Sequence, residues 1–588
     1  MTKFRRLVAI RKLSTKDPRW IHKDVFRVLR KNELWQMAYE NLKGNKGTLG
    51  LGSGPGTMDQ MSLQQLGKLR EQVYTEQYKF KPVKLTHKPR PGGRLELGLP
   101  TANDMIVQEV IRIILETIYE PVFYPTSFGF GARMGCHDAL AHVEKTFRWV
   151  DWVIVSTPTN PGEGGNGLVY STIDHEVLVR ILEKRIDDTR FINLIRKLLK
   201  SGAKGPFEFT TLVPKEGPPP TCRPPTRRVS EAQHVVSNKQ ESVVSPILAN
   251  IYYHELDEYV QELAQKYTTP QTRLKNVAYK RLQYAIAKTS KKMWTLEHQS
   301  HEYQTLKKQL KTLRNKLLET PGRREKVIRV EYVRYAEDWM VGIAGNGQLA
   351  SLIKEELRTF MATTLLQTLH SDPKAPLNNQ LIGTWGKTKL TDLRQGNVHF
   401  LGYDIFLPRN QSISQYKRKG VTTIRKRQPQ LKFDVPVKKL TQRYIDRGYL
   451  KRLATNVRPI SKASYTTLED HVIVNHFGSL WLGIQNYYSG CTNLGRLQYI
   501  HYLLHMSCAM TLAHRHRVSS AKIFRKYGKH LQVPIPNTKK TTKFPYRTTW
   551  RLNDRRWLRG RKVPVFPVIF PLVARRAPPG ADPLRRNQ

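Results

Sequence analysis

Cysteine, acidic residues and long apolar runs are scarce in this sequence. Its 588 residues include four cysteines, none in a Cys-x-x-Cys pair, which argues against a disulfide scaffold and a zinc finger. No apolar run approaches the ~18 residues that a membrane span needs, so no membrane partner is expected. Asp and Glu number 47 against 99 Lys and Arg, which leaves a net charge of +52. Because such a surplus repels itself unless a polyanion neutralises it, the composition predicts a nucleic-acid partner rather than a merely solvated basic surface.

The amino terminus is strongly basic. Residues 1–16 hold six basic residues and no acidic one. This composition fits a mitochondrial transit peptide and an RNA-binding arm equally well, so both interpretations stay open.

The apolar pattern predicts intermixed helices and strands. Alternation over residues 80–99, with a Pro-Gly-Gly turn in the middle, predicts a hairpin. Asn103 is predicted to cap a helix whose apolar face runs over residues 106–118. A short apolar strand is expected at residues 152–155, followed by a loop rich in Gly and Pro.

Residues 266–326 differ from the rest of the chain, with 16 Lys or Arg against 4 Glu in a helical pattern. Apolar residues spaced by three and four positions form one stripe, which predicts an otherwise basic helix. The stripe consists of Tyr303, Leu306, Leu310, Leu313 and Leu317. The basic face is either solvated or in contact with RNA phosphates, in which case we expect RNA binding by Lys307, Lys308, Lys311 and Arg314.

Several stretches, in order, resemble the reverse transcriptase and maturase proteins encoded by group II introns, in the plant-type mitochondrial branch. They are LGLPTANDMIVQEVIRIILETIYEPVF (97–123), SFGFGARMGCHDAL (127–140), STIDHEVL (171–178), QESVVSPILANIYYHELDEYV (240–260), VRYAEDWMVGI (333–343), GKTKL (386–390) and HFLGYDI (399–405). Each is weak alone, but their order and spacing make coincidence negligible. The resemblance implies an α+β protein with the right-hand polymerase fold of reverse transcriptases.

The resemblance also divides the chain. The expected parts are a basic extension and start of the fingers (1–75), fingers and palm (76–265), the basic helical insertion (266–326), the rest of the palm (327–408), a basic linker (409–434), the helical thumb or maturase X domain (435–533) and a Pro- and Arg-rich tail (534–588). The tail is expected to be extended and to become ordered against RNA. The family's HNH endonuclease domain, with its Cys pairs, has no expected counterpart.

The X-domain resemblance rests on IQNYYSG (484–490) and SCAMTLAHRHRVSSAKIFRKYG (507–528). In the family this domain grips intron RNA, which requires cations on a packed scaffold. The residues expected to bind RNA here are Arg515, Arg517, Lys522, Arg525 and Lys526, together with Arg133 and Lys387 in the earlier motifs.

The polymerase motifs are degenerate. Two-metal nucleotidyl transfer needs carboxylates that hold two Mg²⁺ ions about 4 Å apart. The family's first Asp falls on Thr157 or Gly165, depending on the direction of counting, and Glu163 in the intervening loop would be a poorly preorganised substitute. In the YADD element, Glu337 replaces the first Asp and Asp338 keeps the second, so these two are vestigial catalytic residues and no metal site is expected.

Two further motifs depart from the family. Its PQGG turn is replaced by Lys-Gln-Glu-Ser at 239–242, which leaves Gln240 as a remnant of the nucleotide site, and Glu241 would repel a triphosphate. The arginine of its RPLGIP motif falls on Leu95, beside Arg94.

The resemblance therefore implies an RNA-binding maturase of mitochondria whose reverse transcriptase activity is lost. It would stabilise folded group II intron RNA and would require no cofactor of its own, with Mg²⁺ needed only if polymerase activity survives. Two alternatives stay open. The protein is a structural subunit of a larger ribonucleoprotein bound to ribosomal RNA, such as the mitochondrial ribosome, or it is an active RNA-directed DNA polymerase. The sequence does not name protein partners.

Overall fold

A computed structural model describes most of the chain. The described residues are 5–43, 61–90, 93–129, 135–156, 173–201, 203–204, 243–269, 276–296, 300–320, 328–365, 368–369, 384–385, 388–408, 413–418, 421–426, 430–453 and 456–545. Within these ranges, no helix is both long and apolar enough to cross a membrane.

Helices occur along the whole described chain. They are α1 (Arg5–Lys16), α2 (Asn32–Lys43), α3 (Leu63–Tyr74), α4 (Ala102–Tyr119), α5 (Cys136–Thr146), α6 (His175–Glu183), α7 (Thr189–Lys200), α8 (Ser245–Tyr267), α9 (Val277–Met293), α10 (His301–Glu319), α11 (Gly347–Thr363), α12 (Val437–Asp446), α13 (Asp470–Tyr487), α14 (Leu494–His516) and α15 (Ser520–Tyr527). Short 3₁₀ turns lie at Phe26–Arg30, Phe147–Trp149 and Ala463–Tyr465.

The strands are short and lie between the helices. They are β1 (His22–Lys23), β2 (Val83–Arg90), β3 (Gly93–Leu99), β4 (Ser127–Phe128), β5 (Trp152–Ser156), β6 (Ile186–Asp187), β7 (Ala203–Lys204), β8 (Arg329–Tyr335), β9 (Asp338–Ala344), β10 (Thr368–Leu369), β11 (Thr384–Trp385), β12 (Lys389–Asp392), β13 (Val398–Phe400), β14 (Tyr403–Phe406), β15 (Ile413–Arg418), β16 (Val421–Lys426), β17 (Lys432–Asp434), β18 (Leu450–Leu453), β19 (Asn456–Pro459), β20 (Val533–Pro534) and β21 (Thr541–Thr542). This mixture of helices and strands agrees with the α+β prediction.

A five-stranded sheet occupies the centre, with strand order β12-β5-β9-β8-β4. Its strands are antiparallel except for β4, which pairs with β8 in parallel. Because side chains alternate along a strand, the sheet sends apolar residues into cores on both faces. Ile154 and Trp339 join one core together with helices α1–α4 and α6–α8. Val153 and Met340 join the other, which continues into helices α12–α15.

The hairpin predicted over residues 80–99 is present as the antiparallel pair β2–β3. The helix expected after it is α4, but its predicted cap is wrong. The hydroxyl of Thr101 accepts the N–H of Asp104, whereas Asn103 lies inside the first turn. A threonine hydroxyl is as good an acceptor as an asparagine amide, so the motif alone did not decide between them.

The predicted insertion forms a helical hairpin of α9 and α10. Leu310 and Leu317 of the predicted stripe are buried in a small core with Ile286 of α9. Residues 409–434, expected to be a linker, contain the hairpin β15–β16, which lies against α9 and α10, as well as β17. A run of basic residues there obscured the alternation typical of strands.

The C-terminal helical unit comprises helices α12–α15. The start of the predicted tail is folded against it, because β21 pairs with β20 and Phe544 is buried in the shared core. The remainder of the tail, from residue 546, lies outside the described residues.

Candidate functional site

The degenerate YAED motif forms the tight turn between β8 and β9. Tyr335 pairs with Asp338 across the hairpin, and Ala336 adopts a left-handed conformation with φ of 52°. The backbone N–H of Ala336 donates to the carbonyl of Phe128 at 2.9 Å. Gly129, at φ of 106°, lies so close that a Cβ there would be 2.8 Å from the Ala336 nitrogen. The SFGF segment therefore fixes this turn and requires glycine at 129.

The fully buried Arg334 holds the backbone of the turn in place. Arg334 forms an ion pair with Asp257 of α8 at 2.5 Å and donates to the Ser127 hydroxyl at 2.7 Å. It also donates to the carbonyl of Ala336 at 2.9 Å, which holds the left-handed residue in place. Burial raises the pKa of Asp257, but the attraction and hydrogen bonds of Arg334 outweigh it and lower that pKa below its usual value. The pair stays ionised, and the backbone geometry of the turn depends on it.

The two carboxylates on the turn are half-buried and poorly solvated. Burial, with a smaller contribution from Glu337, raises the pKa of Asp338 to about 7. Burial also raises the pKa of Glu337, although Arg334 opposes this. Both groups thus hold their protons more tightly than ordinary carboxyls, because burial disfavours the charged form.

Within its described residues, the neighbouring strand β5 contributes no further carboxylate to the turn. The described part of β5 ends at Ser156, a buried residue that pairs with Trp339. Across the described ranges, His, Cys, Asp and Glu side chains form no group of three or more that could hold a metal ion. The described residues therefore do not fit the two-metal arrangement. Thr157, Glu163 and Gly165 lie outside the described residues.

A contact between two motifs, missed by the sequence reasoning, joins the C-terminal helical unit to α5 and to the three-stranded sheet β13-β14-β17. The carbonyl of Tyr487, at the end of α13, accepts from the Tyr403 hydroxyl at 2.5 Å and lies 2.7 Å from His137 Nε2. The Tyr487 hydroxyl donates to the carbonyl of Leu401 at 2.8 Å. Gly402, at φ of 74°, leaves room for the Tyr487 ring. The glycine in HFLGYDI was the available signal, but its partner lies more than 80 residues away.

The basic face of α15 matches the predicted RNA-binding residues best. Ser519 caps the helix and Ile523 anchors it in the core, so Lys522, Arg525 and Lys526 lie exposed. Arg517 is also exposed, at the left-handed residue that ends α14.

Arg515 has a structural role that the sequence did not show. It is half-buried, and its Nε lies 2.9 Å from a carboxylate oxygen of Asp470 at the start of α13. The other oxygen of Asp470 accepts from the Tyr527 hydroxyl and lies 2.6 Å from His516 Nε2. Burial raises the pKa of Asp470, but these partners together lower it by more, so the pKa lies below its usual value. Asp470 thereby links helices α13, α14 and α15.

The remaining predicted residues are dispersed. On α10, Lys307, Lys308 and Lys311 are exposed, whereas Arg314 is half-buried. Arg94 lies on β3, opposite Pro89. Arg133, Gln240 and Lys387 lie outside the described residues.

Comparisons with known proteins show which proteins this chain resembles. Residues 428–558 match the type II intron maturase family model. The chain is 28% identical over 505 residues to the group II intron-encoded protein LtrA of Lactococcus lactis, covering 85% of this chain and 76% of LtrA. It is 28% identical over 538 residues to the COX1/OXI3 intron 1 protein of Saccharomyces cerevisiae, covering 90% of this chain and 57% of that protein.

A plant relative extends the comparison. The mitochondrial protein ymf11 of Marchantia polymorpha is 25% identical over 465 residues, which cover 74% of this chain and 56% of ymf11. The chain thus spans little more than half the length of its yeast and plant relatives. It contains a type II intron maturase domain and is related, over most of its length, to group II intron-encoded proteins.

Proposed function

We propose that this protein binds group II intron RNA and stabilises the folded intron so that the RNA catalyses its own splicing. The observation that carries the proposal is the exposed basic face of α15, which lies within the segment that matches the maturase model. Lys522, Arg525 and Lys526 are held there on a packed scaffold, with Asp470 joining the surrounding helices. Such a face neutralises phosphates without needing a catalytic group.

The proposal assigns the right-hand polymerase fold to the chain, with the central sheet as the palm and the C-terminal helical unit as the thumb. The thumb and the α9–α10 hairpin would grip the intron backbone, and selectivity would come from unpaired loops and 2′-hydroxyl contacts. By analogy with the intron proteins of the relatives, we place this activity in mitochondria.

Loss of reverse transcription is the second part of the proposal. The backbone of the β8–β9 turn is held by Arg334, yet its first carboxyl is that of Glu337, which is longer than the family's Asp, and the described part of β5 carries no carboxylate beside it. A turn that keeps its backbone geometry while one of its two carboxyls is altered is consistent with a scaffold retained for binding alone. Mg²⁺ would then be needed by the intron RNA rather than by this protein.

Crosslinking of the protein to RNA in its own cells, followed by sequencing of the bound fragments, tests the first part. We expect peaks within group II introns. Peaks confined to ribosomal RNA would overturn the proposal in favour of a structural ribonucleoprotein subunit.

A template-primer extension assay with Mg²⁺ or Mn²⁺ tests the second part. We expect no cDNA above that made by a Glu337→Ala, Asp338→Ala double variant. Robust synthesis that this double variant abolishes would show that the turn is still catalytic.

A further inference from the structure

The outer face of α9 carries an exposed tyrosine in a row of cations. Tyr284 is 73% exposed. It lies three residues after Arg281 and four before Lys288, and Lys291 continues the row three residues later. At 100° per residue these side chains share one face of the helix, roughly opposite Leu282 and Ile286, which pack on α10. We call Arg281, Tyr284, Lys288 and Lys291 the α9 ridge.

The cations of the α9 ridge are available for a ligand. The sequence of α9 contains no Asp or Glu. Among the described residues, Arg281, Lys288 and Lys291 are all exposed, and none forms an ion pair. Trp294, the residue that follows the helix, is 64% exposed. The exposed rings of Tyr284 and Trp294 offer aromatic faces on which nucleic-acid bases can stack.

The surroundings of the ridge make the charge argument stronger. Helix α10 and the hairpin β15–β16 lie against α9, and these four elements hold 14 Lys and Arg against two Glu. A field of this sign attracts a polyanion, and the exposed rings add a contact that phosphates alone do not use.

We propose that the α9 ridge binds unpaired RNA, with Tyr284 stacking on a base while Arg281 and Lys288 contact the flanking phosphates. Stacking requires a base that is not already paired and stacked in a duplex, so the ligand is single-stranded rather than double-stranded RNA. Rise along the helix sets Lys288 about 6 Å beyond Tyr284, a distance suited to successive groups of one extended strand. This proposal deepens the proposed function, since it names the kind of RNA that one surface of the protein selects.

A fluorescence experiment on the full-length protein tests the ridge. The probe is a stem-loop RNA with an unpaired 3′ extension of about 12 nucleotides that contains 2-aminopurine, a base whose emission is quenched by stacking. The matched variants are Tyr284→Leu, which keeps an apolar side chain but removes the ring, and Tyr284→Phe, which keeps the ring. Both replace an exposed residue, and thermal unfolding checks that neither alters the fold.

We expect wild type and Tyr284→Phe to quench the probe and to bind within about twofold of each other, whereas Tyr284→Leu binds about 5- to 100-fold more weakly and does not quench. A fully paired RNA of equal length should bind all three proteins alike. Unchanged quenching and affinity in Tyr284→Leu would overturn the ridge proposal and point to a protein partner for this face. Salt-sensitive binding by wild type without any quenching would also overturn it while leaving the proposed function intact. Failure of wild type to bind any RNA would overturn both.

Discussion

The β8–β9 turn and the basic face of α15 differ in how their charged side chains are placed: those that support the turn are buried and paired, and those on α15 are exposed. At the turn, the supporting polar groups satisfy one another: Arg334 is completely buried and has partners in Asp257, Ser127 and Ala336. On α15, Lys522 and Arg525 are exposed and form no ion pair among the described residues. Because a buried network is stabilised from within and an exposed cation is not, changes at the turn should affect stability, and changes on α15 should affect RNA binding alone.

The largest effect expected is on stability. Arg334→Leu leaves the Asp257 carboxylate buried without its cation, so unfolding by urea should show a loss of about 3–5 kcal/mol. Arg358→Leu is the matched control, because Arg358 forms an ion pair with Glu355 at 2.8 Å but is exposed, and it should cost less than about 0.5 kcal/mol. Equal losses of unfolding free energy in the two variants would contradict the idea that the buried ion pair matters more for stability than the exposed one.

RNA affinity should respond to charge on α15. Reversal of Lys522, Arg525 and Lys526 to Glu should weaken RNA binding about 10- to 100-fold and reduce the slope of log K against log salt by about three. The control exchanges Lys for Arg and Arg for Lys at the same positions, which preserves charge and should preserve affinity. Thermal unfolding of both triple variants should match wild type. If the reversal variant were less stable than wild type, the charges on α15 would contribute to folding, as those of the buried network do.

Backbone strain at the turn gives a smaller effect. Gly129→Ala puts a Cβ 2.8 Å from the Ala336 nitrogen at φ of 106°, so we expect a loss of about 1–3 kcal/mol in urea unfolding. Gly67→Ala is the control, since it lies in α3 with open space around it and should stabilise by about 0.5–1 kcal/mol. If Gly129→Ala were neutral, the SFGF segment would not fix the turn.

The smallest effect concerns pH. The folded protein raises the pKa of Asp338 to about 7, whereas an unfolded Asp titrates near pH 4. Between these values the folded state binds the proton more tightly, so the contribution of Asp338 to stability falls as pH rises and levels off above pH 7. Asp338→Asn mimics the protonated form.

Measured by urea unfolding, the Asn variant should match wild type near pH 4 and exceed it by about 1–2 kcal/mol at pH 8, a value reduced for the partial exposure of the side chain. Exposed Glu302→Gln should change stability by less than about 0.5 kcal/mol at either pH. A variant advantage that grew toward low pH would contradict the direction of the shift.

Sequence reasoning succeeded where the signal is local. The hairpin β2–β3, the apolar face of α4 and the stripe of α10 follow from periodicity within a few residues, and each is present. The resemblance to the maturase X domain predicts that Arg515 binds RNA, yet Arg515 also pairs with Asp470, which lies 45 residues away in the chain. Arg334 and Asp257 likewise belong to two separate sequence motifs, and neither motif indicates that the two side chains form an ion pair. Pairing across such separations depends on tertiary packing, which composition and spacing do not encode.

The contacts of Tyr487 and the core shared with the central sheet limit how this sequence can change during evolution. The C-terminal helical unit shares its apolar core with one face of the central sheet, and Tyr487 is fastened to Tyr403 and Leu401 near that sheet. If the protein acts only by binding RNA, as proposed, its gene can lose carboxylates one at a time, but it cannot discard the sheet without unfolding the C-terminal helices that share its core. Decay of the catalytic residues and persistence of the surrounding architecture are therefore expected to occur together along a lineage.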